Sequence, residues 1–378
     1  MEREKEYPNT INIFLTEDCN LDCQYCFVNK TYKKSKLNFS VLKKTIDLFL
    51  NYPGEKKTIN FTGGEPLLEY SLLKRIYPYV LKRAKERGIY LDMSVVTNGT
   101  LLSQNRARFF EKNQTITKIS IDGNKKTHDL NRPFKKNLQK SSFQEIVNNL
   151  KNFKQKDKLK LYGSLVFTPQ TVNSLFKNIK FIQRLGFPYI EFYPDMYAFW
   201  SKKTLIDLKK QLAQFTSYYI SLFLKKKEKS IFKNSLLDSI VNKTEVIGTK
   251  EMLCRKIHLA LDGNFYFCDK VFSLPVPKRK KYIIGNVQEG VDNQKRLALI
   301  SQFRERVLKL IGERCRDCPH QEYCFCPIGH YLYFSFQNRD LNKYLSNFCQ
   351  VAKIYFDNFV EIREKLKYHP LFVKLYKF

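Results

Sequence analysis

The amino-acid sequence predicts an α/β fold, parallel strands wrapped by helices, and three observations carry that expectation. From residue 11 to about 215, short β-rich runs alternate with longer segments of helical periodicity. Nearly every unusual loop follows directly after one of the strands. Cysteine is absent between Cys26 and Cys254 yet crowded on either side of that gap.

The strand candidates are Ile11–Leu15, Thr58–Phe61, Leu91–Val96, Ile116–Ile121, Leu159–Phe167 and Tyr189–Phe192, each short and rich in β-branched or aromatic residues. Between them, apolar residues recur at three- and four-residue intervals over Val41–Leu50, Leu67–Glu86, Ser103–Lys112, Phe143–Phe153 and Val172–Arg184, the mark of helices with one buried face. The loops after the first four strands carry a cysteine triplet, Gly63-Gly64-Glu65-Pro66, Thr97-Asn98-Gly99 and Ser120-Ile121-Asp122-Gly123. In a parallel α/β barrel such loops gather at one end, where chemistry is assembled.

A further helix is expected over Leu205–Leu224, followed by a Lys-rich connector at 225–229 that reads as a domain boundary. The expected organisation is an arm over 1–10, a core over 11–225, a basic helical connector over 226–250, a cysteine-rich domain over 251–350 and a helical tail over 351–378. The 378 residues suit one large or two to three ordinary domains, and 43% hydrophobic content with 14 Gly and 13 Pro excludes collagen-like and wholly disordered classes. No run approaches the roughly 18 apolar residues of a membrane span; the best, Phe215–Leu224, is short and polar in places. The charged start of the chain lacks a signal-peptide core, so a reducing cytoplasm is expected and the cysteines need an explanation other than disulfides.

The ten cysteines form two clusters set among polar residues, which favours ligand use over packing. Cys19-Asn-Leu-Asp-Cys23-Gln-Tyr-Cys26 supplies three thiolates and no fourth nearby. A structural zinc normally takes four protein ligands, whereas an iron–sulfur cubane on three thiolates keeps one iron open. The second cluster comprises Cys254, Cys268, Cys315, Cys318, Cys324, Cys326 and Cys349. A zinc ribbon on Cys315, Cys318, Cys324 and Cys326 is an alternative to clusters there. His320 and His330 could complete a metal site there, although isolated loop histidines more often bind no metal, and His128 is read as a structural residue. Sixty-seven Lys and Arg against 36 Asp and Glu give a formal charge of +31, which favours acidic partners, although no nucleic-acid motif accompanies it.

The Cys-x3-Cys-x2-Cys triplet followed by Phe27, with Gly-Gly-Glu-Pro after the next strand, resembles the radical S-adenosylmethionine (radical SAM) enzymes over residues 10–200. That resemblance implies a partial (β/α)6 TIM-like barrel in which Cys19, Cys23 and Cys26 hold a [4Fe–4S] cluster whose free iron takes SAM. Gly63, Gly64 and Glu65 are then expected around the methionine head and Phe27 near the adenine. The run from Ser120 to Arg132 is similar to that of anaerobic sulfatase-maturing enzymes, which implies SAM contacts for Ser120 and Arg132. The second cysteine region resembles a SPASM domain, implying two auxiliary [4Fe–4S] clusters. One would take Cys315, Cys318, Cys324 and Cys349, the other Cys254, Cys268 and Cys326 with a fourth position unassigned. The single residue between Cys324 and Cys326 departs from the usual three.

The expected activity is that of a maturase acting on a peptide or protein, with an acidic leader and an external electron donor such as flavodoxin or ferredoxin. Hydrogen abstraction from a residue of a ribosomally made peptide would start an oxidative modification or cross-link. Because Ile11 already opens the first strand, leader recognition is expected to use another surface or a partner. The alternatives are a formylglycine-generating sulfatase maturase, with Asp269 as the base, or a tetrapyrrole or small-molecule radical SAM enzyme. Against the sulfatase route, the extra Cys expected shortly after Cys254 is absent.

Overall fold

The computed structural model describes residues 7–28, 36–151, 160–242, 254–321 and 323–376. Residues 1–6 of the expected arm, Phe153, Leu159 and residues 243–250 of the connector lie outside the described residues. The chain forms two compact units: one takes residues 1–119, 132–160 and 253–305, the other 120–131, 161–252 and 306–378. The cysteine-rich stretch 251–350 therefore contributes to both.

The first unit is built on β1 (Thr10–Thr16), β2 (Lys56–Gly63), β3 (Tyr90–Thr97) and β4 (Ile116–Ser120), which pair in parallel in sequence order. Alternation along β1 buries Ile11, Ile13 and Leu15 completely. The following helix, Phe39–Asn51, covers the sheet with Leu42, Ile46, Phe49 and Leu50, and its Asn38 cap accepts the Ser40 N–H at 2.8 Å. On the other side of β1 lies β7 (Lys256–Leu259), also parallel, which leads antiparallel into β8 (Asn264–Tyr266), β9 (Ile283–Asn286) and β10 (Gly290–Val291). The hairpin flanked by Cys254 and Cys268 is thus hydrogen-bonded beside the strand that delivers the first cysteine triplet.

The second unit contains the parallel pair β5 (Leu161–Phe167) and β6 (Tyr189–Pro194), joined by the helix Leu175–Arg184. Its core gathers Phe192 of β6 with Phe215 of the helix Lys202–Leu224 and with Tyr355 and Phe359 of the helix Leu341–Leu366. All four rings are buried, and the Tyr355 hydroxyl donates to the Phe192 carbonyl.

The six expected strands and five intervening helices form close to their expected bounds. Two local expectations differ. The run after β4, read as a loop, contains the helix Lys125–Asn131, pinned by Asp122, whose carboxylate accepts from the Val166 N–H and the Asn131 amide, both at 3.1 Å. The tail is a helix that starts earlier, at Leu341, and stops at Leu366; Pro370 then opens a separate helix, Pro370–Tyr376, because proline cannot continue the preceding one. Among the described residues no helix is long and apolar enough to cross a membrane.

Candidate active site

The first unit gathers Cys19, Cys23, Cys26, Phe27, Gly63, Gly64 and Glu65 at the C-terminal ends of β1 and β2, with Thr97 and Asn98 at that of β3. The β2 end lies directly against the approach to the triplet: the Gly64 and Glu65 N–H groups donate to the Thr16 and Asp18 carbonyls, both at 2.8 Å. A Cβ on Gly63 would sit 2.1 Å from the Thr16 oxygen, and one on Gly64 2.0 Å from the Asp18 oxygen. Gly63 also has φ of 137°, a conformation that disfavours side chains. Glycine is therefore demanded here by backbone packing, within a few residues of Cys19.

Glu65 is fully buried and holds this arrangement together. One carboxylate oxygen accepts from the Leu67 N–H at 2.9 Å and the Thr97 hydroxyl at 2.7 Å, the other from the Asn98 N–H at 2.7 Å. Burial raises its pKa, and the three hydrogen bonds oppose that rise. Through Glu65 the loop after β3 is fixed to the loop after β2. Asn98 then reaches the triplet, its amide nitrogen lying 2.8 Å from Asn20 Oδ1 and 3.8 Å from Cys19 Sγ.

The thiols themselves have donors around them. The Leu21 N–H is 3.5 Å from Cys19 Sγ, and Arg132 Nη1 is 3.9 Å from Cys23 Sγ, with the guanidinium 5.1 Å from the Tyr25 ring centroid. Burial, then the nearby Glu65 carboxylate, pushes the Cys19 thiol up to about 12, partly offset by the Leu21 N–H, with Cys23 and Cys26 adding to the rise. Burial thus disfavours the Cys19 thiolate until a cation meets it. Three thiols, N–H donors directed at sulfur and a buried Arg suit an anionic iron–sulfur cluster.

Asp269 follows Cys268 in the same unit, one oxygen 3.9 Å from its Sγ and the other 3.2 Å from Lys270 Nζ. Burial would raise its pKa, but Lys270 and then His258 outweigh it and hold the carboxyl below the usual range. Lys270 Nζ also sits 3.8 Å from the Phe27 ring centroid, so the Asp269 segment meets the residue after Cys26. The segments are clamped further back as well. Arg279 grips Glu17 with two bonds, 2.7 and 3.2 Å long, both side chains being buried, and donates to the Leu274 and Phe272 carbonyls.

Ser120 stands at the end of β4. His128 is fully buried and its Nδ1 accepts the Asp122 N–H at 3.1 Å, a structural role. In the second unit, Cys315, Cys318, Cys324 and Cys349 line one cavity together with His320. Burial drives the Cys324 thiol well above its ordinary value, and Cys349, Cys315, Cys318 and Cys326 add to the rise in that order. Cys326 precedes the helix Pro327–Phe336, where its carbonyl meets His330 Nδ1 at 2.8 Å.

One group escaped the sequence reading. Ser94, Asn60, Asn12 and His258 stand at matched register on β3, β2, β1 and β7, linked side chain to side chain at 2.5, 2.8 and 3.2 Å. A polar residue in the middle of each apolar strand was the available signal, but only register shows that they form a row.

Residues 13–182, a little under half of the chain, match the Radical SAM superfamily. It is 30% identical over 187 residues to a cysteine-type anaerobic sulfatase-maturating enzyme of Clostridium novyi, covering 47% of this chain and 49% of that protein, so the match spans about half the relative's length. A cysteine-type anaerobic sulfatase-maturating enzyme of Clostridium perfringens is 24% identical over 90% of this chain and 92% of its own. The fold is shared with native anSMEcpe solved with AdoMet and the Cp18Cys peptide, with a TM-score of 0.70, 21% identity, and 94% of this chain and 99% of that one covered. It is also similar to Streptococcus suis SuiB bound to the precursor peptide SuiA, with a TM-score of 0.55, 14% identity, and 85% and 72% covered.

Proposed function

We propose that this enzyme is a peptide maturase that oxidatively modifies a residue of a ribosomally made peptide. The observation that carries the reading is the convergence, within one unit, of the Cys19–Cys26 thiols, the Glu65–Thr97–Asn98 network and the Asp269 segment, held together by the β1–β7 pairing and the Glu17–Arg279 clamp. Cys19, Cys23 and Cys26 would hold a [4Fe–4S] cluster, with Gly63, Gly64 and Arg132 around SAM and Phe27 near its adenine. When bound, that pair supplies a 5′-deoxyadenosyl radical able to abstract hydrogen from the peptide.

The protein's own part is placement and proton handling. The close backbone approach at Gly63 and Gly64 leaves the triplet loop little freedom. Asp269, kept ionised beside Lys270, can accept a proton from the substrate residue as it is oxidised. Auxiliary clusters, one on Cys315, Cys318, Cys324 and Cys349 and one at Cys254 and Cys268, would take up the electrons of the oxidation, and a flavodoxin- or ferredoxin-like protein would be the external donor that reduces the triplet cluster. Anaerobic incubation with SAM, reductant and the peptide encoded beside the enzyme should yield 5′-deoxyadenosine and a changed peptide mass. Deoxyadenosine with an unaltered peptide would refute the substrate.

A second reading, a sulfatase-type maturase that makes formylglycine, is favoured by Asp269 following Cys268 and by the likeness over most of the chain to the C. perfringens enzyme. A Cys- or Ser-containing sulfatase peptide would then acquire a hydrazide-reactive aldehyde. Under either reading Asp269→Asn should abolish turnover of the peptide while SAM cleavage persists, measured as deoxyadenosine released per modified peptide; unchanged turnover would remove the base role.

A further inference from the structure

The polar row across β3, β2, β1 and β7 ends in a histidine that holds a proton for which the first unit supplies no acceptor. Phe61 of β2 packs on Tyr77 of the helix Tyr70–Glu86, so alternation turns Asn60 to the opposite face of the sheet, and matched register places Ser94, Asn12 and His258 there with it. Phe14 shares that face two residues beyond Asn12 on β1. Phe272 stacks on Phe14 at 4.0 Å, which lays the turn Asp269–Ser273 over the same face.

Every bond in the row runs one way. The Ser94 hydroxyl donates to Asn60 Oδ1, Asn60 Nδ2 donates to Asn12 Oδ1, and Asn12 Nδ2, which can only donate, meets His258 Nδ1 at 3.2 Å. Nδ1 is therefore the acceptor and Nε2 carries the proton. Nε2 lies across the ring from Nδ1, so its N–H is directed away from the row. His258 is 3% exposed, and among the described residues Nε2 has no hydrogen-bond partner. Asp269 is not the acceptor: its carboxylate accepts from Lys270 and acts on the ring only as a charge. Burial keeps the imidazole neutral, so the N–H is offered as a hydrogen bond and not as an acid. A buried donor left unpaired is costly unless a ligand meets it.

We propose that the Nε2–H of His258 donates to a main-chain carbonyl of the bound peptide, beside Asp269, and that Asn12, Asn60 and Ser94 are positioning residues that hold the ring in this tautomer. The inference rests on the peptide maturase reading. A main-chain carbonyl is the acceptor that every peptide offers, whichever side chain is oxidised.

The test uses the loaded enzyme with SAM, reductant and the peptide encoded beside it, together with analogues of that peptide carrying a thioamide, a poor acceptor, at the modified residue or at either neighbour. His258→Leu should raise the peptide KM about 3- to 10-fold, and His258→Gln, whose amide N–H can stand where Nε2–H stood, should recover most of that loss. One thioamide analogue should raise KM for the unaltered enzyme but not for His258→Leu. If circular dichroism shows His258→Leu unfolded, His258→Asn, too short to reach the carbonyl, takes its place. In the unaltered enzyme, NMR of 15N-labelled histidine should find His258, assigned by its loss in His258→Gln, protonated at Nε2. Protonation at Nδ1, a Gln variant no better than the Leu variant, or thioamide effects equal in both enzymes would overturn the contact and leave the maturase reading standing. A peptide mass left unchanged by the unaltered enzyme would refute that reading and this inference with it.

Discussion

Gly64 shows how one residue type is fixed by backbone geometry rather than by contact with a cofactor. Its missing side chain lets the β2 end pack on Asp18, one residue before Cys19. Gly64→Ala must push that backbone aside, and the expected result is loss of iron from the triplet while the unit stays folded, read as iron and sulfide content together with circular dichroism. His258 makes a pH prediction. Burial lowers its pKa from 6.5 to about 4, although Asp269 opposes this. Protonation therefore favours the unfolded chain: the stabilising contribution is complete above pH 6.5, is lost as pH falls towards 4, and changes no further below that. The loss amounts to about 3 kcal/mol at 1.36 kcal/mol per unit. Urea unfolding at pH 7 and pH 4.5 should show it, with His258→Gln losing less on acidification than the unaltered protein.

Among the elements, the segment between β8 and β9 is tied to the β1 end by a buried ion pair. Arg279 reaches Glu17 while its guanidinium lies 4.9 Å from the Phe272 ring, which itself stacks on Phe14 at 4.0 Å. Removing one partner strands the other charge, so Arg279→Met should destabilise by about 3–5 kcal/mol, whereas the double change with Glu17→Met should recover much of that. A double-mutant cycle in urea checks the prediction; equal losses from the single and double variants would contradict it. The same clamp ties the segment that follows Asp269 to the approach to the triplet, so the single variant should also lower peptide turnover more than SAM cleavage.

For the whole molecule, the net charge of +31 is large enough to act at a distance. Near the triplet, Lys135, Lys136 and Lys140 line a cavity with Cys19 and Asn20. An acidic peptide is expected to associate faster at low salt, its KM rising several-fold between about 50 mM and 500 mM salt as screening shortens the reach of these charges. A KM indifferent to salt would remove electrostatic recruitment as a function of the excess lysines.

The strand-end loops and the triplet were legible because they are local: Cys-x3-Cys-x2-Cys and Gly-Gly-Glu-Pro carry their chemistry in consecutive residues, and alternation and helical periodicity report which faces are buried. That was enough for the α/β class and for the radical SAM resemblance. Spacing could not show that Glu65 spends its carboxylate on Leu67, Thr97 and Asn98. Nor could it show that Asn12, Asn60, Ser94 and His258 form one row, or that His320 lines one cavity with four thiols while its Nε2 meets Asp357. Each of these depends on strand register or on helices meeting across long sequence separations, and a one-residue slip in register would turn those side chains to the opposite face. The sequence by itself determined which chemistry was at hand; tertiary structure decided which donors meet, because distance in space is set by packing and not by position along the chain.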